Sequence, residues 1–92
     1  MYEIVLTSAF KRRLKIIKKQ NKRLYKLTEV VNKLANNEKL EVKNHDHQLI
    51  TNLKFKGYRE CHIEPDWLLI YKKDNNNLIL YLIDTGSHSD LF

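Results

Sequence analysis

Two apolar runs separated by a polar turn constrain this chain more than any other feature. Trp67 to Lys73 reads WLLIYKK, Leu78 to Ile83 reads LILYLI, and Asp74-Asn75-Asn76-Asn77 lies between them. Short runs rich in aliphatic and aromatic residues, bounded by turn formers, are strands. Asn tolerates left-handed backbone, which suits it to a tight hairpin connection. A third strand-like run, Lys56 to Ile63, precedes the turn Glu64-Pro65-Asp66. Pro65 has no N–H to give to a sheet ladder and belongs in that turn. Three strands on tight turns predict an antiparallel meander.

The N-terminal half has a different period. Residues 2–6 (YEIVL) read as a short strand. Ser8 offers a helix N-cap, with Thr7 a neighbouring candidate. From Ala9 to about Gln20, Phe10, Leu14 and Ile17 recur at helical spacing, while Lys11, Arg12, Lys15, Lys18 and Lys19 cover the other side. Asn21 interrupts the pattern. Leu24, Leu27, Val30, Val31 and Leu34 mark a second helix from about Lys22 to Ala35, ended by Asn36 and Asn37. Two helices on a short connection form an antiparallel hairpin. Glu38 to Asn52 is polar and reads as an ordered loop carrying His45, Asp46 and His47. The predicted fold class is α+β, ordered β-α-α-β-β-β. A small antiparallel meander sheet has a helical hairpin packed on one face, and its other face is partly open.

A chain of 92 residues is one domain, residues 1–92. Its 17 Lys and Arg against 11 Asp and Glu give a net charge of +6, which points to polyanionic partners, nucleic acid first among them. The single cysteine, Cys61, allows no intrachain disulfide and suits a reducing cytosol. No apolar run approaches the roughly 20 residues that span a bilayer. The basic cluster follows the N-terminal apolar run, the wrong order for a signal peptide. These features predict a cytoplasmic protein with no membrane partner.

Three of the four histidines lie in short polar segments: His45 and His47 in the loop, and His88 near the C-terminus. His62 ends one meander strand and Asp66 begins the next, so the turn between them holds the two close. The tail Thr85-Gly86-Ser87-His88 can return to the sheet surface. RNA cleavage without metal needs a base for the 2′-hydroxyl, an acid for the leaving 5′-oxygen and positive charge for the phosphate. Histidine titrates near working pH and suits both proton-transfer roles. Asp66 is a candidate base, or a carboxylate that holds a histidine in the right tautomer. Lys54, Lys56 and Arg59 are candidate phosphate contacts. Trp67 and Phe92 are candidates for stacking on splayed bases.

Each candidate has a structural rival. His45 reads as a solvated loop residue, and His47 as a partner for a local hydrogen bond with Asp46. His62 alternates with Tyr58 and Glu60 and suits a structural role as well as a catalytic one. Asp66 suits shaping its turn. Trp67 shares a face with Leu69 and Tyr71 and suits the core. Phe92 suits a plug at the sheet end, and Cys61 suits core filling. Arg59 and His62 are three apart, which puts them on opposite faces of a regular strand. Either a bulge intervenes or Arg59 stands outside the site. His45, His47, His62, Asp66 and His88 are zinc-ligand types, but their spacing matches no compact zinc motif. Gly57 and Gly86 are the only glycines, so no phosphate-binding glycine loop exists. No metal and no cofactor are expected.

Three blocks in order, Asp46-His47, GYRECHIEPDWLLIY from Gly57 and TGSHSDLF from Thr85, carry a resemblance over nearly the whole chain. The chain resembles the RelE/ParE superfamily of type II toxins and, within it, the YafQ-type mRNA interferases. The resemblance implies a RelE-like fold and a ribosome-dependent endoribonuclease that cuts translated mRNA in the ribosomal A site. The implied products are a 2′,3′-cyclic phosphate or 3′-phosphate and a 5′-hydroxyl. The implied partners are a cognate antitoxin, the 70S ribosome with its rRNA, and mRNA. By the same resemblance, the functional residues fall on His47, His62, Asp66, Trp67, His88 and Phe92. Asp66 and His88 are the main proton-transfer candidates, with His88 favoured as acid. His47 and His62 position or protonate the phosphate, or share the base role. The basic face of Lys11, Arg12, Lys15, Lys18 and Lys19 meets ribosomal RNA. The chain departs from the family pattern in QLITNLKFK, after His47, which is longer and lacks a glycine. A gyrase-poisoning toxin of the ParE type would not need the His62, Asp66 and His88 set. A basic RNA-binding module with structural histidines is the third reading.

Overall fold

The structure, a computed structural model, describes residues 1–50 and 52–92. Thr51, inside the stretch that departs from the family pattern, lies outside the described residues. The elements are β1 (Glu3–Leu6), α1 (Ser8–Lys19), α2 (Leu24–Ala35), a 3-10 turn (Val42–Asn44), β2 (His47–Gln48), β3 (Arg59–Glu64), β4 (Trp67–Asp74), β5 (Ile79–Gly86) and α3 (His88–Leu91).

The cap of α1 is Thr7 rather than Ser8. Its hydroxyl accepts from the Phe10 N–H at 3.1 Å and donates to the Ile83 carbonyl at 2.6 Å, so one side chain starts the helix and ties it to β5. Lys18 and Lys19 occupy the last turn, where the helix dipole favours cations. Asn21 and Asn37 take left-handed backbone and end the two helices. In the hairpin between β4 and β5, Asp74 Oδ1 accepts from the N–H groups of Asn76 and Asn77. The left-handed residue there is Leu78, not an asparagine, at φ 54°.

The five strands run in the order β1-β5-β4-β3-β2. β3, β4 and β5 form the expected antiparallel meander. The structure adds two pairings. β1 lies parallel to β5, with Glu3 opposite Ile79 and Leu6 opposite Leu82. β2, inside the segment read as a loop, pairs antiparallel with β3, with His47 opposite Glu60.

Alternation along β3 and β4 divides the core into two layers. On the helix side, Cys61, Ile63, Trp67, Leu69 and Tyr71 pack with Phe10 and Ile17 of α1 and Leu27, Val30, Val31 and Leu34 of α2. On the other side, Leu68 and Ile70 pack only with Phe55 and Leu91, with Leu49, Tyr58 and Ile83 at the margin. The second layer is small. Glu60 and His62 of β3 lie on that same face.

Candidate active site

Two local structures deliver Asp66 and His88 to the same place. Asp66 closes the two-residue turn between β3 and β4. His88 opens the single-turn α3, which follows β5 directly. Ser87 caps α3 in a reciprocal box: its hydroxyl accepts from the Asp90 N–H, and Asp90 accepts from the Ser87 N–H. Gly86 permits the close return, since a Cβ there would stand 3.0 Å from Asp90 Cβ. Asp66 Oδ1 then accepts twice from His88, from its backbone N–H at 2.9 Å and from ring Nδ1 at 2.6 Å. These bonds, the backbone one first, hold the Asp66 carboxyl below its ordinary range. An ionised Asp66 keeps the proton on His88 Nδ1 and leaves Nε2 facing outward. Nε2 has no intramolecular partner among the described residues.

His62 stands beside this pair. Its ring centroid lies 5.8 Å from that of His88 and 5.2 Å from that of His45. Behind it sits Glu60, whose side chain is 7% exposed. Glu60 Oε1 is 3.5 Å from His62 Nε2 and 3.6 Å from His47 Nε2. One buried carboxylate therefore faces two histidines. His47 Nδ1 also meets the His45 carbonyl at 2.6 Å, so both of its ring nitrogens face oxygen acceptors. Asn44 is buried and donates to the His62 carbonyl at 2.8 Å, tying the 3-10 turn to β3. Phe92 is half exposed, with its ring 6.4 Å from His88 and 5.7 Å from Phe55.

Two assignments from the sequence do not fit this geometry. Trp67 is 1% exposed in the helix-side core, and its indole N–H donates to Thr85 Oγ1 at 3.0 Å. A base cannot stack on it, so the core alternative holds. Arg59 faces the helix side, as parity requires. β3 does carry an irregularity, but it falls between His62 and Glu64, beyond the residues it would have to realign. Arg59 donates instead to Asp46 at 3.2 Å and to the Tyr71 hydroxyl at 3.3 Å. Cys61 is fully buried, and burial pushes its thiol well up from the ordinary range, so it carries no nucleophile. Lys54 lies on Phe55 and lines a cleft of about 450 Å³ with Arg12 and Arg13 of α1. Lys11, Arg12, Lys15, Lys18, Lys19 and Lys56 are exposed.

Comparisons with known proteins identify the family. A family model described as the bacterial toxin of a type II toxin-antitoxin system, YafQ, matches residues 2–92. The chain belongs to the YafQ toxin family. The mRNA interferase toxin YafQ of Escherichia coli (strain B / BL21-DE3) is 36% identical over 91 residues, covering 98% of this chain and 95% of that protein. The crystal structure of a metal-bound toxin from Helicobacter pylori superposes with a TM-score of 0.91 at 40% identity, covering all of both chains. The E. coli DinJ-YafQ complex superposes with a TM-score of 0.86 at 34% identity, covering 100% of this chain and 99% of the matched one. The RelE-like α+β fold expected from the sequence is thus the fold observed.

Within this YafQ-family fold, His47, His62, Asp66, His88 and Phe92 converge on one face. Sequence reasoning missed four contributors. Glu60 was visible through its alternation with His62, but nothing in the sequence showed that His47 would pair opposite it. His45 reads from the sequence as a solvated loop residue, yet its left-handed backbone turns its ring onto His62. Lys26 and Lys43 line a cleft of about 450 Å³ with His45 and His62, and only the packing of α2 brings Lys26 there. The Helicobacter neighbour is metal-bound. Here, among the described residues, no three His, Cys, Asp or Glu side chains converge as a metal-ligand group.

Proposed function

We propose that this YafQ-family chain is an mRNA interferase that cleaves mRNA on the ribosome by attack of a 2′-hydroxyl on the adjacent phosphodiester. The observation that carries the reading is the Asp66–His88 pair, with Nδ1 of His88 held and Nε2 free, beside a second histidine backed by a buried carboxylate. In its protonated form His88 delivers the Nε2 proton to the leaving 5′-oxygen, and Asp66 stabilises that form. His62 takes the proton of the 2′-hydroxyl. As the 2′-oxygen bonds to phosphorus, the bond from phosphorus to the 5′-oxygen breaks. The products are a 2′,3′-cyclic phosphate and a 5′-hydroxyl. His47, half exposed beside Glu60, is placed to help position the phosphate. Lys26 and Lys43 line the adjacent cleft, where phosphate would compete with their carboxylate partners Glu64 and Glu41. Phe92 offers an exposed aromatic face for a base.

The exposed cations of α1 fit ribosomal RNA, and a cognate antitoxin is the expected inhibitor. The similar E. coli YafQ is seen in complex with DinJ. Among the described residues, no helix is long and apolar enough to cross a membrane, and the working compartment in this reading is the cytoplasm. The test is incubation of the purified protein with mRNA, free and on programmed ribosomes, in the presence of a chelator. The expected result is cleavage on ribosomes with cyclic-phosphate ends. Equal cleavage of free mRNA would remove the ribosome from the account, and intact mRNA in both arms would remove the nuclease.

A further inference from the structure

β2 is two residues long, and a strand that short specifies its own register weakly. Its parity nonetheless decides the site. His47 faces Glu60 and His62 only while β2 pairs as observed, and a slip of one residue would turn His47 to the helix side and Asp46 toward Glu60. Asp46 is the residue held from the opposite face. Its Oδ1 accepts from the Tyr71 hydroxyl at 2.6 Å and from Arg59 Nε at 3.2 Å. Tyr71 is 1% exposed, and Arg59 and Tyr71 stand opposite each other in the β3–β4 ladder. The donors therefore belong to the rigid middle of the sheet. The acceptor belongs to the sheet's short edge strand, between a left-handed residue, His45, and His47.

We infer that Tyr71 and Arg59 are positioning residues: from the far side of the sheet they latch Asp46, and the latch sets the parity that presents His47 to the active face. The catalytic part of this inference rests on the proposed role of His47; the structural part does not. The pairing brings chemistry from β4 to bear on a histidine that neither Tyr71 nor Arg59 touches. Tyr71 carries its hydroxyl at a core position where phenylalanine would pack as well. The hydroxyl has Asp46 and Arg59 as its only hydrogen-bond partners among the described residues.

The test uses the full chain with Tyr71→Phe, Asp46→Ala and Asp46→Asn, each alone and with His47→Ala. Cleavage on programmed ribosomes is expected to fall about tenfold in kcat for Tyr71→Phe, the effect of losing one hydrogen bond to a charged acceptor, with KM unchanged. Asp46→Ala falls at least as far, and Asp46→Asn, which keeps the acceptor oxygen, restores most of the rate. In the His47→Ala background Tyr71→Phe should cost nothing further, since the pair acts as a unit. The second readout is hydrogen exchange at the Leu49 amide, which donates to the Tyr58 carbonyl beside β2 at 2.8 Å. It should quicken in Tyr71→Phe and Asp46→Ala while amides in the β4–β5 ladder hold. Multiplicative losses in the double variant, or unchanged Leu49 exchange in Tyr71→Phe, would overturn the latch. Full activity of His47→Ala would instead overturn the role of His47, and the exchange arm would still decide whether the latch exists.

Discussion

Replacing Trp67 with phenylalanine is expected to weaken the fold and leave the hold on RNA unchanged. Trp67 is 1% exposed, and its N–H donates to Thr85 Oγ1 at 3.0 Å. Thr85 in turn donates to the Leu68 carbonyl at 2.6 Å, a bond the substitution leaves intact. Phenylalanine keeps one ring and loses the other, at a cost of about 1–2 kcal/mol in lost contacts and residual cavity. The missing N–H bond adds about 1 kcal/mol. The sum, roughly 2–3 kcal/mol, lowers the Tm of a domain this size by roughly 10–20 °C. Urea unfolding should show a lower midpoint with an unchanged slope. Cleavage on programmed ribosomes, measured well below the transition, should keep its KM for mRNA. An unchanged midpoint together with a several-fold rise in KM would refute the burial argument and return Trp67 to the RNA surface.

Glu60→Gln removes the charge that faces both His47 and His62, and a fall of about 10²-fold in kcat is expected, at the lower end of what one proton-transfer group contributes. Rates within twofold of wild type would make Glu60 a packing residue. Asp66 has a folded pKa below its ordinary value of 3.8, so its bonds to His88 add stability above that value and lose it as pH falls through the folded one. Urea unfolding of wild type and Asp66→Ala should therefore differ by a small, constant amount above about pH 5 and converge in acid, with solvent exposure keeping the effect small. A difference that grew as pH fell would reverse the sign. Changing Lys11, Lys15 and Lys18 together to Glu should weaken ribosome binding and flatten its salt dependence while leaving the fold intact. Binding that ignored both the substitutions and the salt would exclude α1 from the interface.

What could be read from the sequence follows from how local each feature is. The β4–β5 hairpin and both helices carry their pattern within a dozen residues, and the turn at Pro65 is marked by chemistry that no strand interior accepts. The pairing of β1 with β5 joins opposite ends of the chain and leaves no local trace. β2 is too short for alternation to be recognised, and α3 is a single turn whose signal is only the Ser87 and Asp90 cap. The site divides the same way. Strand parity correctly separated Arg59 from His62 and put Trp67 on the face of Leu69 and Tyr71. Aromatic chemistry and the resemblance to the YafQ pattern both drew Trp67 toward the RNA, whereas its 1% exposure places it in the core. The pairing of Glu60 with His47 and the place of His45 against His62 became visible only when β2 and the 3-10 turn brought the loop against β3.

The central claim is that His88, held by Asp66, is the acid of an RNA-cleaving site. Its most direct test is mapping mRNA ends on translating ribosomes exposed to the wild type and to His88→Ala. The side chain is 55% exposed, so the substitution should move the unfolding midpoint only slightly. The expected result is discrete cuts with 2′,3′-cyclic phosphate and 5′-hydroxyl ends for the wild type, and a loss of about 10²- to 10⁴-fold for the variant. Undiminished cutting by His88→Ala, or ends bearing 5′-phosphate, would contradict the account.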